Sequence, residues 1–423
     1  MENSTEMKRR FTRKKSESLQ SELLLEITKK ITSTLNFEEV LESIVDSLSQ
    51  LYSYDAAGIF LVDKKNGTLR HMVTRGYNKK LLDKMPIKIN EGISGHVIQT
   101  KLGSNISDVS KDPNYYQVRS ETKSQMTVPL FSGDDVIGVL VLESNRRDHF
   151  SQLDLERLTA FASFGAIAID NAELYKDSLT KKHLESELLV ASRVQKVLLP
   201  QRAPNIPGLH IEATNIPSLI VGGDLYDLYL EDKDHLGVAI GDVSGKGAPG
   251  AILMAVLYAG FKSLLKEVFQ VSEVVARLNN LLEEATTSGY FATFWFGIIN
   301  VAGNELTYCN AGHNTPILLR KNKSVEYLDK GGMLLGFLPY QSYVQDKISF
   351  NSGDYLVLYT DGVTEIKNGD EKEFGEKRLV SVLKKNHAKS PVEMKNEILK
   401  TVREFSGKIE FDDDITLIII CKE

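Results

Sequence analysis

At 423 residues, 42% hydrophobic and 26% charged, the chain is a folded protein too long for one ordinary core, and two domains with connecting helices are expected. Its net charge of -6 opposes a nucleic-acid backbone, no apolar run is long enough to span a bilayer, and the start lacks a secretion signal's hydrophobic segment; a cytoplasmic protein with no nucleic acid and no membrane span is expected. The cysteines, Cys309 and Cys421, lie far from any second ligand residue at regular spacing, which argues against a disulfide framework or a zinc site.

The basic run Lys8, Arg9, Arg10, Arg13, Lys14 and Lys15 reads as a solvated, flexible tail over residues 1–18. From 19 to 51 apolar residues recur at helical spacing (Leu23, Leu24, Ile27, Ile31, then Val40, Leu41, Ile44, Val45, Leu48), with a break near Asn36 that predicts two helices. Two β-rich runs, 57–63 and 69–74, flank Asn66-Gly67, a strong hairpin signal; 125–131 and 136–142 flank a second turn at 132–135. A closing helix is predicted from about 153 to 174, with Leu155, Leu158, Phe161, Ala162, Ile167 and Ile169 toward the core. Helices enclosing an antiparallel sheet make an α+β domain over 19–173.

From 174 to 200, Tyr175, Leu179, Leu184, Leu188, Ala191, Val194 and Leu198 keep an approximate three-four spacing among charges. This predicts an amphipathic helical linker that either pairs as a dimeric coiled coil or packs on its own domain. After Pro200, strand-like runs follow at 209–213, 236–240, 294–300, 305–309, 315–319, 354–358 and 415–420, with helical stretches around 250–269, 271–286 and 391–406. Many strands with inserted helices, rather than strict alternation, predict a layered α/β/β/α sandwich over 201–423.

Four aspartates stand where an apolar strand meets a turn: Asp224, Asp242, Asp361 and Asp413. A single Asp-Gly is an ordinary turn. Four such sites, each bordered by a hydrophobic strand, point instead to carboxylates converging on hard divalent cations, which take oxygen ligands and keep several waters. The glycines near Lys246 lack the spacing of a nucleotide-binding phosphate loop, and no cysteine sits in a phosphatase-type loop.

Residues 20–173 resemble a GAF domain in the order of the strand at 59–61, the stretch 91–97, the strand at 128–130 with its hairpin, and the segment 145–154 leading into a helix. Arg146 and Leu155 depart from the cyclic-nucleotide-binding pattern of some GAF domains, and a salt-bridged cap on the last helix is the favoured reading of 145–154. The absence of cysteine before residue 200 excludes a thiol-linked bilin there. The four aspartate motifs, with 310–314 and 331–336, resemble the sporulation stage II protein E-like branch of PPM (type 2C) phosphatases over residues 195–423.

That resemblance implies a metal-dependent phosphoserine/phosphothreonine protein phosphatase using two divalent cations, Mn or Mg. Asp242 would bridge both with help from the Val243 carbonyl, Asp361 and Asp413 would hold one, and Asp224 would complete the set or hold bound water. Asp414 is interchangeable with Asp413 at this level, and Asp227 is left to a supporting position. Water would attack phosphorus in line without a covalent intermediate. Ser244, Gly245 and Lys246 occupy the turn where eukaryotic relatives carry a histidine, so the general acid is open; His313 is expected to organise its loop. The implied substrate is a STAS-type anti-sigma-factor antagonist, the GAF-like domain would read an unknown small ligand or protein, and a homodimer is expected. The rival reading is a catalytically silent dimeric scaffold that binds a phosphoprotein.

Overall fold

The computed structural model describes residues 26, 29–31, 33–266, 270–286, 289–408 and 411–423, and the chain divides near residue 183 into two compact units. The basic run, Leu23, Leu24, Ile27 and the last three residues of the helical stretch expected at 250–269 lie outside the described residues.

In the first unit residues 26 and 29–31 are helical, and after the break near Asn36 comes α1 (Phe37–Leu51). Its start is set by Asn36, whose side chain accepts from the Glu39 amide at 3.1 Å. Strands β1 (Ala56–Asp63), β2 (Thr68–Arg75), β3 (Ile87–Lys88), β4 (Ser104–Ile106), β5 (Ser124–Ser132) and β6 (Asp135–Ser144) form one antiparallel sheet in the order β3-β2-β1-β6-β5-β4. Both expected hairpins are present, β1–β2 and β5–β6, and the pairing of β1 with β6 joins them at the sheet centre. Alternation along the strands turns Ile59, Leu61, Leu140 and Leu142 toward α1 and the long helix α3 (Gln152–Leu198), and Phe60, Val139 and Val141 toward α2 (Gly92–Thr100).

Helix α3 runs 47 residues without a break at 174, because no proline interrupts its sequence. Leu158, Phe161, Ala162 and Ile169 are buried, whereas Ile167, expected in the core, is 55% exposed. Two residues advance a helix by about 200°, so Ile167 and Ile169 cannot face the same side. Along the later turns Tyr175, Leu179, Leu184 and Val194 are 44–62% exposed, whereas Leu188 and Leu198 are partly buried. The segment before α3 is the cap expected from sequence. Asp154 accepts from the Ser151 amide at 2.8 Å and from its hydroxyl, Arg147 pairs with Asp108 at 3.0 Å, and His149 contacts the Ser53 carbonyl at 2.8 Å.

The second unit holds two sheets. One contains β8 (Leu225–Leu230), β9 (His235–Val243), β10 (Ala292–Asn300), β11 (Glu305–Ala311) and β14 (Gly331–Gly332) in the order β14-β11-β10-β9-β8, with β15 (Asp346–Ser349) also on β11. The other runs β13-β12-β16-β17-β7, from β7 (Leu209–Ile216), β12 (Ile317–Leu319), β13 (Val325–Tyr327), β16 (Tyr355–Tyr359) and β17 (Ile415–Lys422). Period-two alternation builds the layers. Leu318, Leu356, Leu358, Ile418 and Ile420 meet Ile240 and Phe296 of the first sheet, while Ile317, Val357, Leu417 and Ile419 meet Leu379, Leu383, Met394 and Ile398. The latter four belong to helices α6 (Gly375–Lys385) and α7 (Pro391–Ser406). Helices α4 (Ala248–Leu264) and α5 (Val271–Ala285) cover the opposite sheet through Met254, Leu257, Phe261, Val274 and Leu278. The result is the α/β/β/α sandwich, with strand ends from both sheets free to carry polar side chains.

Candidate metal centre

Each sheet contributes two of the four aspartates. Asp242 is the penultimate residue of β9, opposite Thr293 of β10, and Asp224 directly precedes β8. Asp361 follows β16 and opens a single helical turn, and Asp413 lies in the turn before β17. Backbone held by two ladders fixes where these carboxylates start.

Two threonines cross-link the ends. Asp224 Oδ2 accepts from Thr360 Oγ1 at 2.8 Å and from Thr416 Oγ1 at 2.6 Å, and all three residues are buried. Burial, then the charge of Asp242, lifts the Asp224 carboxyl well above the usual carboxylate range. Burial raises Asp242 to about 7, with the charges of Asp361, Asp413 and Asp414 adding to it. Burial followed by the charge of Asp413 raises Asp361 to about 6.

Adjacent Asp413 and Asp414, equivalent in sequence, differ in space. Asp414 is occupied: Oδ1 accepts from the Ser218 amide (2.7 Å) and hydroxyl (2.9 Å), and Oδ2 from the Gly223 amide (2.7 Å). It ties the loop carrying Asp224 to the start of β17. Asp413 is half-exposed, with Oδ2 only 3.0 Å from Lys246 Nζ. Two glycines permit this convergence. A Cβ at 223 would stand 2.8 Å from the Val243 carbonyl oxygen, and one at 362 would stand 2.0 Å from that of Asp414.

Among the described residues no group of three or more acidic, His or Cys side chains is gathered closely enough to hold an ion by itself. The donor set still fits hard cations such as Mg2+ and Mn2+. It offers only oxygens, and burial together with its excess negative charge raises three of its four aspartates; such ions take one or two carboxylates each and keep waters.

Other expected residues fall outside this cluster. Asp227 is engaged by Lys262 at 2.7 Å, an anchor for α4 rather than a support for the ligands. His313 is buried, its Nδ1 2.8 Å from Thr293 Oγ1, its amide donating to Asn310 Oδ1 and its carbonyl accepting from Asn310 Nδ2. Burial pushes this imidazole down to about 3, so it is neutral and organises its loop. Sequence reasoning missed Thr360, Thr416 and Ser218. A threonine in a β-rich run reads only as a strand former, and nothing local marks its hydroxyl as a strut.

The geometry has counterparts in known proteins. Residues 232–423 match the family model "Stage II sporulation protein E (SpoIIE)", and residues 36–169 match that of the GAF domain. Phosphoserine phosphatase RsbU of Bacillus subtilis is 30% identical over 244 residues, covering 57% of this chain and 71% of that protein. Protein IcfG of Synechocystis is 29% identical over 287 residues, covering 59% of this chain and 43% of its own length. Among solved structures, the SiaA-PP2C domain of Pseudomonas aeruginosa shares the fold, with a TM-score of 0.53 and 20% identity over 58% of this chain and 99% of that one. The chain therefore belongs to the SpoIIE family of PPM-type protein serine/threonine phosphatases, with a GAF domain ahead of the catalytic domain.

Proposed function

We propose that the chain removes phosphate from serine or threonine of a regulatory protein, with Asp242, Asp361, Asp413 and the Val243 carbonyl holding two divalent cations, Mn2+ or Mg2+. The observation that carries this reading is that carboxylates from two sheets meet: Asp361 and Asp413 from one act on buried Asp242 from the other, and Asp413 acts on Asp361. When bound, such ions make water acidic enough to attack near neutral pH and offset the charge on the transferring phosphoryl group.

The chain's own residues supply position. Thr360 and Thr416 hold Asp224 where it feels the charge of Asp242. Asp414 fastens the loop that brings Gly223 against the Val243 carbonyl. His313 is neutral and turned to Thr293, so it offers no proton to the leaving oxygen, which takes one from water.

The resemblance of the domain order supports a STAS-type antagonist as substrate in cytoplasmic partner-switching signalling. A small ligand or protein would act on the first unit, where Phe60, Tyr77, Ile93, Tyr116, Val141 and Glu143 line a cavity. The half-exposed stripe of α3 supports a homodimer paired along that helix. The domain limits follow the same reading: a tail over 1–18, the sensor over 19–173, the linker over 174–200 and the phosphatase over 201–423.

Hydrolysis of p-nitrophenyl phosphate with Mn2+, lost in Asp242→Asn, is the expected result. A folded wild-type chain that binds a phosphoprotein but hydrolyses neither it nor p-nitrophenyl phosphate with Mn2+ or Mg2+ would leave only the silent scaffold.

A further inference from the structure

The turn between β9 and α4 carries a positive charge into the carboxylate cleft. Gly245 (φ 100°) and Gly247 (φ 73°) flank Lys246 in backbone conformations that a side chain would strain. Ser244 pins the turn to Phe291: its amide donates to the Phe291 carbonyl, and its hydroxyl accepts from the Phe291 amide, each at 2.9 Å. From this base Lys246 Nζ reaches Asp413 Oδ2 at 3.0 Å and donates to the Asp412 carbonyl at 2.9 Å. Among the described residues lining the cleft, Lys246 is the one cation.

The oxygen that Lys246 occupies is one that the metal-site reading needs. An ammonium and a dication repel each other and cannot both approach one carboxylate oxygen from the cleft side. The lysine can yield: its side chain is 58% exposed, on a flexible stem, while the turn beneath it is held independently through Ser244. A phosphate monoester entering the cleft brings a dianion, and an ammonium released there meets a new partner suited to a compact point charge.

We propose that Lys246 exchanges partners, serving as a tethered counter-ion to Asp413 while the site holds no metal and contacting the phosphoryl oxygens of the substrate once Asp413 has turned to a cation. The exchange rests on the metal-site reading above and gives a substrate-binding role to a turn residue that sequence left without one.

Calorimetric titration of Mn2+ into the intact chain tests the first half, and p-nitrophenyl phosphate kinetics at saturating Mn2+ test the second. Lys246→Met keeps the stem and removes the charge. It should bind Mn2+ about three- to fivefold more tightly, the range of a half-exposed ion pair, and raise KM by a similar factor with a smaller change in kcat. Lys246→Arg should stay near wild type in Mn2+ affinity. Equal or weaker Mn2+ binding by a Lys246→Met protein of unchanged melting temperature overturns the exchange, as does tighter binding with an unaltered KM. A wild-type chain that takes up no Mn2+ overturns the metal-site reading together with the exchange.

Discussion

Glu143 in the first unit and Asp242 in the second are both withdrawn from water, and burial is the largest cause raising each carboxyl. Their surroundings then diverge. Thr122, Tyr77 and Arg119 all work against the burial of Glu143. Around Asp242 the next causes are the charges of Asp361, Asp413 and Asp414, which add to it. A buried acid supplied with donors is architecture. A cluster of acids that worsen one another's position is strained unless a cation arrives, and that imbalance locates chemistry in a way that burial alone does not.

The sharpest way to break the comparison is to neutralise Asp242. Asp242→Asn should cut p-nitrophenyl phosphate turnover with Mn2+ by more than about a hundredfold, beyond what loss of an outlying support costs. The same change should raise the melting temperature of the metal-free chain, since it removes a repelling charge. Lost activity with a lowered metal-free melting temperature would mean that Asp242 is structural.

A second test uses pH. Asp242 at about 7 and Asp361 at about 6 both stand above the ordinary aspartate value of 3.8. Through these two groups the folded chain gains protons over the unfolded one between about pH 4 and 7, so their contribution to stability in chelator rises as pH falls through that window, against the opposing contribution of His313, held neutral by burial, below about pH 6.5. Melting in EDTA should come several degrees higher near pH 5.5 than near pH 8, at about 2–4 °C per kcal/mol for a domain of this size. The gap should shrink in Asp242→Asn and close or reverse in saturating Mn2+. A melting temperature flat between those pH values in wild type would contradict the assigned repulsion.

The same contrast explains what was legible in sequence. The four aspartates announced themselves because each interrupts an apolar run, and the hairpins because Asn66-Gly67 and residues 132–135 carry turn chemistry. Strand β8 escaped because its Tyr226, Asp227 and Tyr229 read as loop beside a glycine pair, although they face packed neighbours. Helix α6 escaped because only Leu379 and Leu383 of its length are buried. The division of labour between Asp413 and Asp414 could not be read at all. It depends on donors from Ser218 and Gly223, about two hundred residues away in the chain, and no local pattern encodes such a partner.

Thr416 tests whether that unseen scaffolding matters. Its hydroxyl donates to Asp224 at 2.6 Å and accepts from Asn215 Nδ2 at 2.8 Å in a fully buried position. Thr416→Val keeps the shape and removes both bonds. Stability should drop by about 1–2 kcal/mol, and turnover by about tenfold as Asp224 loosens behind Asp242. Equal loss of stability with full turnover would confine the strut to folding.

The smallest effect on catalysis should come from the first unit. Arg119 Nη1 lies 3.5 Å from Glu143 Oε2, and its side chain also approaches Thr122 and Asn145. Arg119→Met takes away the one cation facing that acid among its named partners, so the donors that remain must carry a buried charge alone. Hydrogen exchange of β5 and β6 should accelerate to match a loss of about 1–3 kcal/mol, while p-nitrophenyl phosphate turnover at saturating Mn2+ stays within about twofold. This is the opposite response to Lys246→Met, in which removing the cation frees an acid for a better partner. Faster exchange accompanied by a large loss of turnover would show that the two acids do not belong to separate kinds, because the satisfied one would then also be setting the state of the crowded one.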